Sequence, residues 1–237
     1  MANVATAPAD SSHAHGHDSH LAHQFEDVEQ QKSSATLGMW AFLGTEVMFF
    51  GGLFAAYCVY RFTAPDAFAL AARHLSVPWG SFNTFVLLTS SLTVALAVRA
   101  GQTGDRKKQV QMLVATIVLG TAFLGVKAIE YTMEFQEHLV PFWHFDPAHL
   151  HAPEGFSPFL LKRAEMFFVF YFFMTGLHAL HMIIGIGVWI WITLRARRGD
   201  FTPQYYTPLE LTGLYWHFVD IVWVFLYPLL YLIDLHK

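Results

Sequence analysis

Near its C-terminus the chain reads Tyr215-Trp216-His217-Phe218-Val219-Asp220-Ile221-Val222-Trp223-Val224-Phe225-Leu226-Tyr227, an aromatic, apolar run interrupted by one histidine and one aspartate. An aspartate near the centre of a bilayer costs roughly 2.5–3.5 kcal/mol, so an ionisable group in such a stretch is partnered, faces away from lipid and serves function or assembly. The run therefore reads as a membrane-spanning helix with one polar stripe turned towards neighbours.

The rest of the chain agrees. Hydrophobic residues make up 54% of the 237 residues, aromatics 16% and charged residues only 14%, whereas a soluble domain carries about a quarter charged residues. Five apolar stretches, at 36–60, 80–100, 109–135, 164–194 and 210–233, each supply the roughly 20 residues that a spanning helix needs. Breakers separate them: Pro65 and Pro78, then Gly101 and Gly104, then Pro141, Pro147, Pro153 and Pro158, then Pro203 and Pro208. The expected fold is an all-α integral membrane protein, a bundle of five transmembrane helices. Residues 1–35 form a polar, histidine-rich tail without the features of a secretory signal, and residues 36–237 form a single transmembrane domain. No internal repeat is visible, which argues against transporter folds built from two related halves. The single cysteine, Cys58, allows no disulfide framework within the chain. A net charge of -4 without a basic block excludes nucleic acid as a partner.

Lysine and arginine counts give an orientation. Lys32, Arg99, Arg106, Lys107, Lys108, Arg195, Arg197 and Arg198 fall on one side, and Arg61, Arg73, Lys162, Arg163 and Lys237 on the other. The excess predicts an N-terminus inside and a C-terminus outside. The loop Glu137–Arg163, with His138, His144, His149 and His151, then faces outward.

Polar groups inside the spans need partners, because the bilayer core offers no water. Glu46 lies midway along the first span among Gly44, Gly51 and Gly52, residues that permit close approach of a helix or lipid. It serves packing, lipid contact or proton handling. In the third span Lys127, Glu130, Tyr131 and Glu134 share one helical face. Lys127 and Glu130 pair along the helix, with lipid head groups or a partner subunit as the alternative contact, and Glu134 reaches the outer interface. The fourth span carries Thr175, His178 and His181, and the fifth His217 and Asp220. Haem ligation by His181 and His217 is disfavoured: His178 and His181 lie on much the same face, Asp220 stands one turn from His217 as a hydrogen-bond partner, and no second ligand pair exists. The tail histidines His13, His15, His17, His20 and His23 hold metal only adventitiously. The chain is expected to contain no catalytic residue and no metal site.

These residues carry a resemblance. Leu37-Gly38-Met39-Trp40 with Thr45-Glu46-Val47-Met48-Phe49-Phe50, Asn83-Thr84 with Leu87-Leu88-Thr89-Ser90-Ser91-Leu92-Thr93, Gly125 with Glu130-Tyr131, Phe172-Phe173-Met174-Thr175-Gly176-Leu177-His178-Ala179-Leu180-His181, and Tyr215-Trp216-His217-Phe218-Val219-Asp220 with Trp223 occur in the order found in subunit III of haem-copper terminal oxidases. The chain resembles that family over all five spans. The resemblance implies a helical bundle packed against subunit I, with haem and copper in subunits I and II and none in this chain. It implies bound phospholipid, and a role supporting proton uptake and durability of the catalytic subunit. It also implies contacts with subunit II and further respiratory subunits, and a place in the bacterial inner membrane. The family's Glu-Val-x-Phe-Phe glutamate reacts with hydrophobic carbodiimides, and Glu46 matches it. Glu130, His178, His181, His217 and Asp220 match recurrent polar positions. Many members have seven helices, so this chain is similar to a five-helix bacterial form. It departs from the family at Arg99, where many members carry histidines nearby, and at Lys127, often a neutral amide.

The function implied is a non-catalytic subunit III of a proton-pumping terminal oxidase, most of all a cytochrome c oxidase. The alternatives are a quinol oxidase subunit III, a homologue associated with nitric-oxide reductases, and, from another class, an independent proton or ion translocator built around Glu46, Glu130, His181, His217 and Asp220. The electron donor is decided on subunits I and II.

Overall fold

The computed structural model describes residues 24–141, 145, 150 and 157–232. The histidines of the tail, His144, His149, His151 and Lys237 lie outside the described residues. The five expected spans are present as helices long and apolar enough to cross a membrane. They are α1 (Val28–Thr63), α3 (Val77–Thr103), α4 (Arg106–Gln136), α5 (Pro158–Arg198) and α6 (Thr207–Tyr227), with a short helix α2 (Pro65–Ala72) between the first two.

Helix bounds follow cap chemistry, while the apolar stretches mark bilayer depth. The Asp27 carboxylate accepts from Gln30 N at 2.6 Å to start α1, eight residues before the apolar stretch at 36–60. Asp105 starts α4 by accepting from Lys108 N at 3.1 Å, and this backbone donor holds its carboxyl below the usual carboxylate range. Ser157 caps α5, and prolines stand in the first turns of α2, α3, α5 and α6, where the missing N–H leaves no bond unmade. α3 and α5 end on Gly104 and Gly199, both at positive φ, 74° and 92°. At 41 residues, α5 is roughly 60 Å long by helical rise. A hydrocarbon core of roughly 30 Å covers only half of that.

α3, α4, α5 and α6 form a four-helix block, with α3 against α4 and α6, and α5 against α4 and α6. α1 lies along α5 and α6, and α2 packs on α5. The two-residue link Gly104-Asp105 makes α3 and α4 an antiparallel hairpin. Arg163 Nη1 donates to Thr63 O at 3.2 Å, tying the start of α5 to the end of α1. At the opposite end Arg106 Nε donates to Ala196 O at 3.1 Å.

The core is aromatic. Trp189, Trp216 and Trp223 are fully buried with Tyr57, Tyr171, Phe123, Phe167 and Phe168. Gly120 and Gly185 make room for Trp216: a Cβ on Gly185 would meet the indole at 2.8 Å. α2 has no spanning-length signal, yet Ala67, Phe68, Leu70 and Ala71 are buried beneath the end of α1. Beyond α6, Pro228 cannot donate to the helical ladder, and Pro228–Leu232 continues as a π-helical turn. That turn delivers Tyr231 into the bundle interior.

Candidate functional site

Three polar assemblies lie within the bundle. The first is built on Lys127, which is 3% exposed, and Glu130, which is 1% exposed. Lys127 Nζ donates to Glu130 Oε2 at 2.9 Å, to Tyr171 OH at 3.1 Å and to Tyr231 OH at 3.0 Å. An ammonium has three protons, and all three are used. Tyr231 OH in turn donates to the other carboxylate oxygen of Glu130. The rings of Tyr131, Tyr171, Trp223 and Tyr231 surround Nζ with centroids at 4.9–5.7 Å. They form an aromatic cage that offsets lost hydration through cation–π attraction. Tyr131 OH bonds Thr175 Oγ1, whose own proton goes to Tyr171 O. The expected Lys127–Glu130 pair is therefore made, and α4, α5 and the turn after α6 are joined through it.

Glu134 was expected at the outer interface but is only 4% exposed, and its Oε2 has no hydrogen-bond partner among the described residues. It lies one turn beyond Glu130, on the face that α4 turns into the block, where packing covers it.

The second assembly joins α1 to α5. Glu46 Oε2 lies 3.1 Å from His181 Nε2, and His181 Nδ1 lies 2.8 Å from Leu177 O. A carbonyl only accepts, so Nδ1 carries a proton and donates. The Nε2–Oε2 contact then needs a proton of its own, either on the imidazole as an ion pair or on the carboxyl. The pair thus holds one shared proton. Both side chains are partly buried, at 14% and 19% exposed. Tyr215 OH donates to His181 O at 3.0 Å, and the Phe50 ring stands edge-on to the imidazole at 5.3 Å.

The third assembly joins α3 to α6. Ser91 Oγ bonds His217 Nδ1 at 2.7 Å. Trp216 Nε1 donates to Ser90 Oγ at 3.0 Å, and Trp223 Nε1 donates to Thr84 Oγ1 at 3.1 Å. A row of α3 hydroxyls thus satisfies the indole donors of α6, as buried tryptophans require. His217 also faces a groove of about 450 Å³ between α1 and α6, walled by Leu43, Phe50, Phe54, Phe218 and Phe225.

Two expectations about histidine are corrected. His217 is bonded to Ser91, not to Asp220. Asp220 is 3% exposed and stands beside Ser91, but neither carboxylate oxygen makes a hydrogen bond of normal geometry. One helical turn brought the two residues near without fixing which rotamers meet. His178 and His181 also serve different neighbours. His181 turns to α1, whereas His178 is enclosed by Phe123 of α4 and Trp223 of α6, centroids 5.5 and 5.2 Å away. Three residues along a helix leave the two side chains about 60° apart around the axis, an offset that suffices to place the rings on either side of a helix–helix seam. Among the described residues no group of three His, Cys, Asp or Glu side chains is placed to hold a metal ion.

Tyr171, Tyr231 and Ser91 were not singled out from the sequence. The two tyrosines sit among other aromatics in apolar runs. Their only sequence signal is that a buried phenol needs a partner, and Lys127 is the isolated cation in the spans that supplies one.

The family model for cytochrome c oxidase subunit III matches residues 22–136 and 157–234, a span containing every residue of the three assemblies. The chain belongs to the cytochrome c oxidase subunit III family. It is 32% identical over 201 residues to cytochrome c oxidase subunit 3 of Corynebacterium diphtheriae, covering 84% of this chain and 88% of that one. It is 30% identical over 221 residues to quinol oxidase subunit 3 of Bacillus spizizenii, covering 91% and 98%. It is 31% identical over 208 residues to cytochrome c oxidase subunit 3 of Papio hamadryas, covering 84% of this chain and 70% of that longer one. As a subunit III the chain is a multi-pass, non-redox member of an oxidase complex and has other oxidase subunits as partners. The gap in the family match falls on the connection between α4 and α5.

Proposed function

We propose that this subunit III packs directly against subunit I of a proton-pumping haem-copper terminal oxidase and supports its stability and proton uptake. It stands with its N-terminus inside and its C-terminus outside the bacterial inner membrane, carries bound phospholipid, and leaves haem and copper to subunits I and II. Cytochrome c oxidase is the favoured complex, and the similarity to quinol oxidase subunits keeps the quinol enzyme as the alternative donor class.

The observation that carries the reading is the surface of α1. Its buried positions are Leu43, Phe50 and Tyr57, one stripe at a spacing of seven. Leu37, Met48 and Phe62 point away from the rest of the chain, and Gly38, Gly44 and Gly52 face open space, while Val47 and Gly51 line the groove against α6. A spanning helix with small residues on its free side suits close approach by lipid or another helix. The ionisable groups support the same role. Lys127 and Glu130 are consumed by bonds within the chain, and Glu46 is tied to His181. Such groups stabilise a bundle.

The test is purification in mild detergent with native partners, followed by a reduced-minus-oxidised haem spectrum and mass spectrometry of co-purifying chains. A haem-copper subunit I in the preparation is expected, and the accompanying subunit II identifies the donor. A chain that purifies alone, colourless, and conducts protons in proteoliposomes above lipid controls overturns the reading in favour of an independent translocator.

A further inference from the structure

The turn that follows α6, together with the last residue of that helix, reaches every other spanning helix. Tyr227 OH shares a hydrogen bond with Ser81 Oγ of α3. The carbonyl of Leu229 accepts from Tyr57 OH of α1 at 3.0 Å. Tyr231 OH accepts from Lys127 Nζ of α4 at 3.0 Å and donates to Glu130 of the same helix. The Tyr231 ring stands edge-on to that of Tyr171 on α5, with centroids 6.4 Å apart. The segment 227–231 thus serves α1, α3, α4 and α5 at once. Its winding lets so short a piece do this. Pro228 brings no N–H to the ladder, and the π turn Pro228–Leu232 bonds five residues apart in place of four. The Leu229 carbonyl and the Tyr231 side chain are thereby delivered to different helices. Gly80 of α3 clears the space, since a Cβ there would meet the Tyr227 ring at 2.7 Å and the Tyr231 ring at 3.1 Å.

α1 depends most on this segment. It buries only Leu43, Phe50 and Tyr57 against the rest of the chain. Its bond from Glu46 to His181 is partly exposed, and the bond from Arg163 to Thr63 O lies at the surface. Tyr57, by contrast, is fully buried. Its ring lies against Phe68, Phe167 and Phe170, and its hydroxyl gives its one proton to Leu229 O. Arg61 Nη1 donates to the same hydroxyl at 3.3 Å, so the oxygen is satisfied as well. In chain order α1 is the first span and the turn follows the fifth. The bond joins residues 172 apart in sequence.

We infer that residues 227–231 are a strap: seating of Tyr231 on Lys127 and Glu130 holds the Leu229 carbonyl in reach of Tyr57 and so fastens α1 to the four-helix block. With Tyr231 unseated the turn loses its anchor on α4, Leu229 O leaves Tyr57, and that end of α1 is held less tightly. The strap closes only after all five spans are in place, because its anchors lie on α3, α4 and α5 and its load on α1. It concerns how α1 is held to its own chain, whatever covers the outer face of that helix in the complex.

The experiment uses the full chain in mild detergent, with Cys58 as its reporter. Cys58 is the single cysteine, follows Tyr57 and is partly buried against the core, so its modification by N-ethylmaleimide speeds up when α1 loosens. Tyr57→Phe deletes the fastening hydroxyl and should raise the rate roughly threefold, the average worth of one hydrogen bond between membrane helices. Tyr231→Phe keeps the ring and deletes the anchor on α4. It should raise the rate by up to the same roughly threefold factor, although Tyr231 bonds α4 and not α1 among the described residues. Tyr57→Phe/Tyr231→Phe should react no faster than Tyr57→Phe alone, because both changes act through one bond. Tyr171→Phe, which takes a different partner from Lys127 and leaves the turn seated, should react at the native rate. A native rate in Tyr231→Phe overturns the strap. So does a double variant whose rate is the product of the two single effects, or an equal rise in Tyr171→Phe, since either would mean general loosening of the bundle. Should Tyr231→Phe fail to fold, Ser81→Ala, which releases only the Tyr227 anchor, is expected to raise the rate in the same direction, and no rise there overturns the strap.

Discussion

α6 and α1 are both apolar spans bearing ionisable residues, but they are held in opposite ways. Of the 21 residues of α6, Leu209, Thr212, Gly213, Tyr215, Trp216, Phe218, Val219, Asp220, Val222, Trp223 and Leu226 are buried. Of the 36 residues of α1, only Leu43, Phe50 and Tyr57 are. Glycine shows the same contrast. At Gly120 and Gly185 in the block a Cβ would strike the Trp216 indole, whereas at Gly38, Gly44, Gly51 and Gly52 of α1 it would meet nothing. α6 is largely covered by its neighbours in the block, whereas α1 leaves most of its surface uncovered by the rest of the chain. In lipid no hydrophobic gain drives helices together, so tight packing and polar bonds alone separate these two conditions.

The comparison can be broken most severely at Lys127. Lys127→Met would strand the Glu130 carboxylate among tyrosines, and removing one partner of a buried pair costs roughly 3–5 kcal/mol. Thermal unfolding of the detergent-solubilised complex should show a large loss of stability, and Lys127→Met/Glu130→Gln should recover much of it. No recovery would mean that the contacts of Lys127 with Tyr171 and Tyr231, and not the stranded Glu130 charge, account for the loss.

Gly185→Ala places a methyl 2.8 Å from the buried Trp216 ring. Overpacking of this kind costs roughly 1–3 kcal/mol, and the melting temperature should fall accordingly. Gly185→Ala/Trp216→Phe should relieve part of the loss.

Glu46→Gln removes the shared proton but keeps a group able to bond His181. Hydrogen bonds between membrane helices contribute only about 0.6 kcal/mol on average, so assembly should survive with a small drop in stability. Labelling by a hydrophobic carbodiimide at Glu46 reports whether the proton rests on the carboxyl. His181→Phe, which deletes the partner, should change the labelling rate, and an unchanged rate would refute the pairing.

The smallest effect is expected at Gly52→Ala, on the side of α1 away from the groove against α6. Within the isolated chain it should shift stability by no more than about 0.5 kcal/mol, as for substitutions that touch nothing. If the free face of α1 is where another subunit approaches, yield of the assembled complex should fall while the isolated chain melts unchanged. An unchanged yield would assign that face to lipid.

The pattern of apolar length and breakers was enough to place five spanning helices, because the bilayer imposes one requirement on every span whatever it packs against. The face shared by Lys127, Glu130 and Tyr131 was equally legible, since helical periodicity is local. α2 was not, because eight residues carry no spanning-length signal and its burial depends on where α1 and α5 happen to meet.

What the sequence determined by itself is therefore the membrane class, the number of spans, the family and the list of polar groups that must find partners. Which partners they found was decided only in three dimensions. Glu46 and His181 are 135 residues apart, Lys127 and Tyr231 are 104 apart, and Ser91 and His217 are 126 apart. Nothing in local spacing relates such positions. The pairings follow from which helices are neighbours, how each is rotated about its axis and where a proline-started π turn aims one tyrosine. Those are set by large side chains such as Trp216 seated against glycines, a matter of shape that a linear pattern of apolar and polar residues does not encode.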